Sequence, residues 1–306
     1  MAILRKKIGL WIPEKGKHPA GKMENPVRSA FLQRLKKENR WELFEDLDFT
    51  RAVIKSGSIY IDDFCLSDLD LYFWYAKGAM LSYNYNILKN LARKVTVIND
   101  PPAYYRGLDK LSSNMILHQH GIAAPEFAFI SARNVDQSYK LLEQWGTLLL
   151  KPRQGSFGIG IVKINDQETL RDVIGHLGKE ADKGFYLERY ISNDIKKWCG
   201  MTVVNNQILF GYRKRPTKIA DWRVLDTNKE GGDVDYVEPT TEQRDLALKA
   251  AQAFQLDITG VDIIMAADGG YYIVDVHTLP GFFPELMKQS GVDGVEELIG
   301  CIKNKI

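Results

Sequence analysis

Two short runs near the C-terminus constrain this chain more than any other feature. Gly260-Val261-Asp262-Ile263-Ile264-Met265 and Tyr272-Ile273-Val274-Asp275-Val276-His277 both carry the pattern of a β-strand. Asp268-Gly269 between them is a strong two-residue turn signal. Centring a hairpin on that turn puts Asp262 opposite Asp275, Val261 opposite Val276 and Ile263 opposite Val274. One face is then apolar and can cover a core. The other carries both carboxylates, and His277 joins them because side chains repeat every two residues. Like charges directly opposed in a sheet destabilise it, and a bound cation would reverse that cost. Two readings stand at this point: a cation site, or two aspartates solvated on an outer face.

The bulk properties narrow the class of protein. At 306 residues the chain is long enough for roughly two or three modest domains sharing a cleft. A net charge of +2 gives no global field for nucleic acid or an anionic membrane. Cys65, Cys199 and Cys301 are scattered without CxxC spacing, which fits reduced thiols and argues against a structural zinc or a disulfide framework. Arg5, Lys6 and Lys7 precede an apolar run of only residues 8–12, too short for a signal peptide. No apolar stretch approaches membrane-spanning length. The expectation is a cytoplasmic protein with neither a nucleic-acid nor a membrane partner.

The first hundred residues read as alternating strands and helices. Residues 8–12, 59–61 and 95–98 have strand patterns. Residues 27–39 form a helix with Val27, Ala30, Phe31 and Leu35 on one side, and residues 71–75 are apolar enough to be core. Asp100-Pro101-Pro102 breaks this pattern and marks a first boundary. A helix over 109–120 follows, stopped by Gly121. Residues 147–150 form a buried strand ending at Lys151, and near Glu188 the chain passes into a third unit. Residues 213–232 read as a long polar loop. Thr240, with Gln243 three residues on, is a capping box. It opens a helix whose apolar face is Leu246, Ala250, Ala253 and Phe254.

Lys151-Pro152-Arg153-Gln154-Gly155-Ser156-Phe157-Gly158-Ile159-Gly160 is the second informative segment. Glycines let backbone N–H groups approach a polyphosphate without side-chain hindrance. The Gly-Lys-Ser/Thr ending of a P-loop is absent. The order is GxxGxG, where a dinucleotide fingerprint needs GxGxxG opening a helix. A strand pattern follows at residues 161–164, so the segment joins two strands as a flap, with Lys151 on the entering strand. A phosphate flap and an ordinary glycine-rich hairpin turn both fit. Lys110, in the first turn of its helix, opposes the helix dipole and gains a purpose only if an anion lies before that helix end. Glu188, Arg189, Tyr190 and Ile191 follow a strand at 185–187 whose backbone could read a purine edge. Arg213, Lys214, Arg215, Lys218 and Arg223 cluster around the polar loop, either as solvated charge or as groups that neutralise phosphate or clamp a carboxylate. The five histidines form no nucleophilic set.

From Asn99 onward, about two thirds of the chain resembles the ATP-grasp superfamily. It is similar above all to the bacterial ribosomal-protein glutamyl ligases and glutathione-synthetase-like amino acid ligases. The resemblance is carried by Val97-Ile98-Asn99, Asp109-Lys110-Leu111, Gly121-Ile122 with Pro125, and Lys151-Pro152 with the glycine segment. Asp221-Trp222-Arg223 with Asn228 and Gly231-Gly232 follow, then Gly260-Val261-Asp262-Ile263 and Val274-Asp275-Val276-His277 leading to Pro280-Gly281. The order and spacing of these pieces make the likeness specific.

The resemblance implies an α/β (α+β) ATP-grasp fold. Residues 1–98 would be a Rossmann-like α/β domain. Residues 99–187 would be a central domain with the flap, and residues 188–306 a C-terminal domain with the metal hairpin. It implies an ATP-dependent carboxylate–amine ligase working through an acyl phosphate on amino acid or peptide substrates, and a homodimer is common in the family. An ATP-grasp kinase and an ATP-binding protein without ligase activity are the alternatives. Lys110 and Lys151 would contact the nucleotide. Gly155, Ser156, Phe157 and Gly158 would cover its phosphates, and Glu188, Arg189, Tyr190 and Ile191 would hold adenine, with Asp194 near the ribose. Asp262, Asp275 and His277 would bind two Mg2+ ions, and Arg213 and Arg223 would neutralise charge during catalysis. The chain departs from the family at three points. His277 replaces the usual Asn, which brings Mn2+ into consideration. Arg189 intervenes between Glu188 and Tyr190. Asp194-Ile195-Lys196 lies far from the strand expected at Val203-Val204.

Overall fold

The computed structural model describes residues 5–13, 27–76, 82–155, 158–177, 184–217, 222–224, 227 and 231–306. The first unit is built on β1 (Lys6–Trp11) and β2 (Trp41–Phe44), with helix α1 (Arg28–Lys37) between them. A small antiparallel sheet of β3 (Val53–Lys55), β4 (Ser58–Ile61) and β5 (Phe64–Cys65) comes next. Then follow β6 (Leu71–Trp74), α2 (Ser82–Leu91) and β7 (Thr96–Ile98). Strands β2-β1-β6-β7 form one all-parallel sheet. A parallel sheet is buried on both faces, which explains why β6 is a continuous apolar run: Leu71, Tyr72, Phe73 and Trp74 are all buried. On α1 the buried residues are Phe31, Leu32 and Leu35, next to Val27. Ala30, expected on that face, is exposed and Leu32 takes its place.

Asp100-Pro101-Pro102 is a helix start, not only a break. The Asp100 carboxylate accepts from Ala103 N, and the prolines open α3 (Pro101–Leu108). Asp109 then caps α4 (Lys110–Gln119). The central unit contains β8 (Phe127–Ser131), α5 (Asp136–Trp145), β9 (Leu148–Lys151), β10 (Val162–Ile164), α6 (Gln167–Leu177) and β11 (Gly184–Arg189). Its sheet has the order β10-β9-β11-β8 and is antiparallel throughout.

The last sheet, β14-β13-β12-β15-β16, is also antiparallel. It comprises β12 (Cys199–Val204), β13 (Gln207–Pro216), β14 (Gly232–Val237), β15 (Ile258–Met265) and β16 (Tyr271–His277). Helix α7 (Thr241–Phe254) starts with the expected capping box and packs Ala247, Ala250, Ala251 and Phe254 on one face of this sheet. Helices α8 (Pro284–Ser290) and α9 (Gly294–Lys303) complete the chain. Residues 213–216, expected to open a long loop, instead extend β13 and pair with β14. Asp194 precedes β12 by only five positions, because that strand begins at Cys199, earlier than the Val203-Val204 pattern suggested.

The parallel sheet and the last sheet share one apolar core. Ile8, Phe31, Leu71 and Phe73 lie in the same cluster as Phe210, Tyr212, Ile258, Leu298 and Ile302. Asn99 fastens this junction. Its amide donates to Ile258 O at 2.7 Å and Thr278 O at 3.1 Å and accepts from Ile258 N at 2.8 Å, with the residue 1% exposed. Asn99→Ala strands those backbone groups, and a buried group left unpaired costs roughly 1–3 kcal/mol. We therefore expect the variant to lose roughly 2–4 kcal/mol of stability, read as a lower urea midpoint. An unchanged midpoint would show that the junction does not rest on this side chain.

Candidate functional site

The hairpin of β15 and β16 brings Asp262 and Asp275 into register, as their spacing predicts, and also pairs Val261 with Val276. The path to that register differs from the expected one. The strands end at Met265 and Tyr271, so a five-residue connection replaces the two-residue turn, with Ala266 N donating to Gly270 O at 2.8 Å. Ile263 pairs with Ile273 rather than Val274, and a β-bulge between Asp262 and Ile263 absorbs the difference. The two deviations cancel at the carboxylates. Gly260 lies opposite His277, and a Cβ there would stand 3.3–3.4 Å from the imidazole side chain and 3.0 Å from Pro280.

Asp262 Oδ2 lies 2.9 Å from His277 Nε2, and Asp275 Oδ2 lies 3.5 Å from His277 Nδ1. Ligand atoms of these three residues all fall within 4.8 Å of one another. Burial pushes the His277 pKa down, but the carboxylates of Asp262 and Asp275 outweigh it and hold the imidazole above its ordinary value. Burial likewise pushes the Asp275 carboxyl up, yet Lys110, His277, Lys151 and Lys214 together hold it below the usual range. Asp262 is 7% exposed, and its Oδ1 is buried without a hydrogen-bond partner. Buried polar atoms are nearly always paired, so this free carboxylate oxygen, beside a second carboxylate and an imidazole, fits a hard divalent cation.

Helix α4 aims Lys110 at this cluster. Lys110 Nζ is 3.8 Å from Asp275 Oδ1 and donates to Gly155 O at 3.3 Å. The helix start is fixed from two sides: Asp109 accepts from Ser112 N and pairs with Arg153 at 2.5 Å, while Lys110 N donates to Arg153 O. The glycine segment does join antiparallel strands β9 and β10. Gly158 (φ +69°) and Gly160 (φ +79°) occupy the left-handed region that glycine reaches without strain. Ser156 and Phe157 lie outside the described residues, as do Lys218, Asp221 and Asn228. Arg223 Nη1 donates to Gly158 O at 2.7 Å, and its Nε is buried and unpartnered. Its guanidinium lies 4.8 Å from the Trp222 ring centroid.

Lys151 and Glu188 form a buried ion pair. Arg189 points to the other sheet face, where it pairs with Glu126 at 2.7 Å. Tyr190 is covered by the ammonium of Lys163 at 3.9 Å and lies edge-on to Trp222. Ile191 O accepts from Asn193 Nδ2, and exposed Asp194 caps its own turn by accepting from Lys196 N at 3.0 Å. Alternation along β13 separates the basic residues. Gly200 pairs with both Asp262 and Tyr212, so these three share a face, and Lys214, two residues past Tyr212, shares it as well. Arg213 faces the α7 side together with Gly211 and Met201. It is therefore not brought to the cluster, and Lys214 is. Reading 213–216 as loop hid this parity; a strand reading of Phe210-Gly211-Tyr212-Arg213-Lys214 would have exposed it.

Residues 107–302 match the RimK-like ATP-grasp domain. A ribosomal protein bS6–L-glutamate ligase of Salmonella paratyphi B is 30% identical over 210 residues, covering 67% of this chain and 67% of that protein. Among solved structures, D-alanyl-alanine synthetase A of Vibrio cholerae O1 biovar eltor aligns with TM-score 0.65 and 14% identity over 99% of both chains. The ATP-grasp ligase PsnB, complexed with a minimal precursor, Mg and ADP, aligns with TM-score 0.64 and 15% identity over 98% of this chain and 97% of its own. The helices and sheets described above are thus those of an ATP-grasp fold. With the domain match covering more than half its length, the chain belongs to the RimK-like ATP-grasp family, a family of ATP-dependent carboxylate–amine ligases.

Proposed function

We propose that this protein activates a carboxylate with ATP and joins it to an amine of an amino acid or peptide. The observation that carries this reading is the meeting of three elements at Asp275: the metal-type hairpin, the α4 lysine and the flap held by that same lysine. A substrate carboxylate oxygen attacks the γ-phosphorus of ATP, and ADP leaves. The amine nitrogen then attacks the acyl carbon, loses a proton and releases phosphate as the amide forms. No covalent enzyme intermediate is needed, so the protein's work is positioning and charge neutralisation.

Lys110 and Lys151 would hold phosphate oxygens, and the backbone at 188–191 would hold adenine. The flap at 155–160 would keep water from the acyl phosphate. Arg223 reaches the flap and Lys214 reaches the metal face, so these two cations would neutralise phosphate and substrate carboxylate. Asp262, Asp275 and His277 would hold Mg2+, one ion or two, which when bound would supply positive charge against the ATP phosphates. An imidazole nitrogen in the set would favour Mn2+ over Mg2+.

Asp262→Asn removes the buried carboxylate charge, and we expect acid- and amine-dependent ADP release to fall by more than about 100-fold, beyond the roughly 10–100-fold cost of an outer partner of a metal ligand. Undiminished turnover in that variant would sink the metal assignment. A second expectation concerns pH. Because the His277 pKa is raised above 6.5, its proton is bound below that raised value and a cation must displace it. In the metal-free protein the His277–carboxylate attraction stabilises the fold fully below 6.5 and is lost as pH climbs through the raised value. Mn2+ affinity should therefore tighten over the same window, measured by calorimetry from about pH 6 to about pH 9. His277→Asn should flatten that dependence and move the preference toward Mg2+. A pH-dependence that survives in His277→Asn would assign it to another group.

A further inference from the structure

Antiparallel pairing puts Lys151 directly opposite Tyr186, with Glu188 two residues further on the same face of β11. Glu188 is 2% exposed, and both its oxygens are engaged: Oε1 by Lys151 Nζ, and Oε2 by Tyr186 OH, which donates at 2.9 Å. Tyr186 OH in turn accepts from Asn114 Nδ2 at 2.6 Å, and Asn114 belongs to α4, where it also donates to Lys110 O at 3.3 Å. Tyr186 and Asn114 are also buried, at 1% and 6% exposure. This carboxylate is held by the lysine and the tyrosine at once. Its geometry serves the lysine.

Resting on the ATP-ligase reading, we infer that Tyr186 and Asn114 are positioning residues for Lys151, acting through Glu188. The chain of contacts runs from α4, which carries Lys110, across β11 to β9, which carries Lys151. The two lysines are therefore held at a set separation by one buried polar network. An ammonium has three donors. Glu188 takes one and fixes its direction, which leaves two for ligand oxygens. Without the tyrosine hydroxyl, the carboxylate can turn about its terminal torsion, and Lys151 turns with it.

The test is ATP binding by calorimetry with Mg2+ present. Tyr186→Phe should weaken ATP about 5–10-fold, the size of one ordinary hydrogen bond, with ADP-release kcat at saturating ATP changed by less than about twofold. Glu188→Gln should also weaken ATP. The double variant Tyr186→Phe/Glu188→Gln should be no more than about twofold weaker than Glu188→Gln alone, because the tyrosine acts through that carboxylate. Asn114→Leu, which removes the donor to the hydroxyl at nearly constant volume, should weaken ATP about 3-fold and carries the test should the tyrosine variant not fold. ATP binding within about twofold of wild type in Tyr186→Phe, or losses that multiply in the double variant, would overturn the inference. Failure of the unaltered protein to bind ATP would instead overturn the ligase reading.

Discussion

Two carboxylates held opposite each other in one hairpin set the electrostatic problem that the rest of this molecule answers. Like charges about 5 Å apart repel by roughly 1–3 kcal/mol at effective dielectrics between water and 20. The compensation comes from several directions. His277 sits on the hairpin itself, Lys110 arrives on α4, Lys151 on β9 and Lys214 on β13, and all four act on Asp275. Each belongs to a different element, so the charge balance at the hairpin forms only when the sheets and α4 have assembled. The imidazole lies between Asp262 and Asp275, 2.9 Å from one carboxylate and 3.5 Å from the other.

Assembly at this point also explains why the N-terminal parallel sheet matters to a site to which it lends no charged group. Its core continues into the core beneath the last sheet. Tyr75 OH donates to Pro280 O, in the segment just after His277, while Thr259 Oγ1 donates to His277 O at 2.8 Å from within the hairpin. The metal-type residues are thus backed by apolar packing on one side and fixed by backbone bonds on the other. The flap contrasts with this. Its described contacts from Lys110 and Arg223 go to carbonyls of Gly155, Gly158 and Ile161.

Alternating apolar residues made β15 and β16 legible, and the parity of Asp262, Asp275 and His277 followed from them. The bulge was not legible, because no residue type announces which ladder position will carry an extra residue. It exchanged Ile273 for Val274 on the core face, both being β-branched and apolar, so the pattern could not distinguish them. The basic end of β13 was misread for the opposite reason. Its residues are polar on both faces, so period-two alternation has no hydrophobic signature there, and partners on β14 decide the strand. Helix α3 was hidden by its prolines, which break a helix in its interior but open one at its first turn. The enclosure of Glu188 depends on Tyr186 and on Asn114, which lies 74 positions earlier. No local pattern reports such a contact.

The bulge has a consequence for how this hairpin is fastened. The pairs Gly260–His277, Val261–Val276 and Asp262–Asp275 lie on one side of it, and the tip at 266–270 lies on the other. Alignment of the carboxylates is therefore set on one side of the bulge, and the seating of the tip on the other. The tip has its own anchor: Ala266 is buried and bridges Asn193, and Ala267 N donates to Ser192 O at 2.9 Å. One hairpin thus carries two separate fastenings, the carboxylate pair by its own ladder and the tip by residues 192–194.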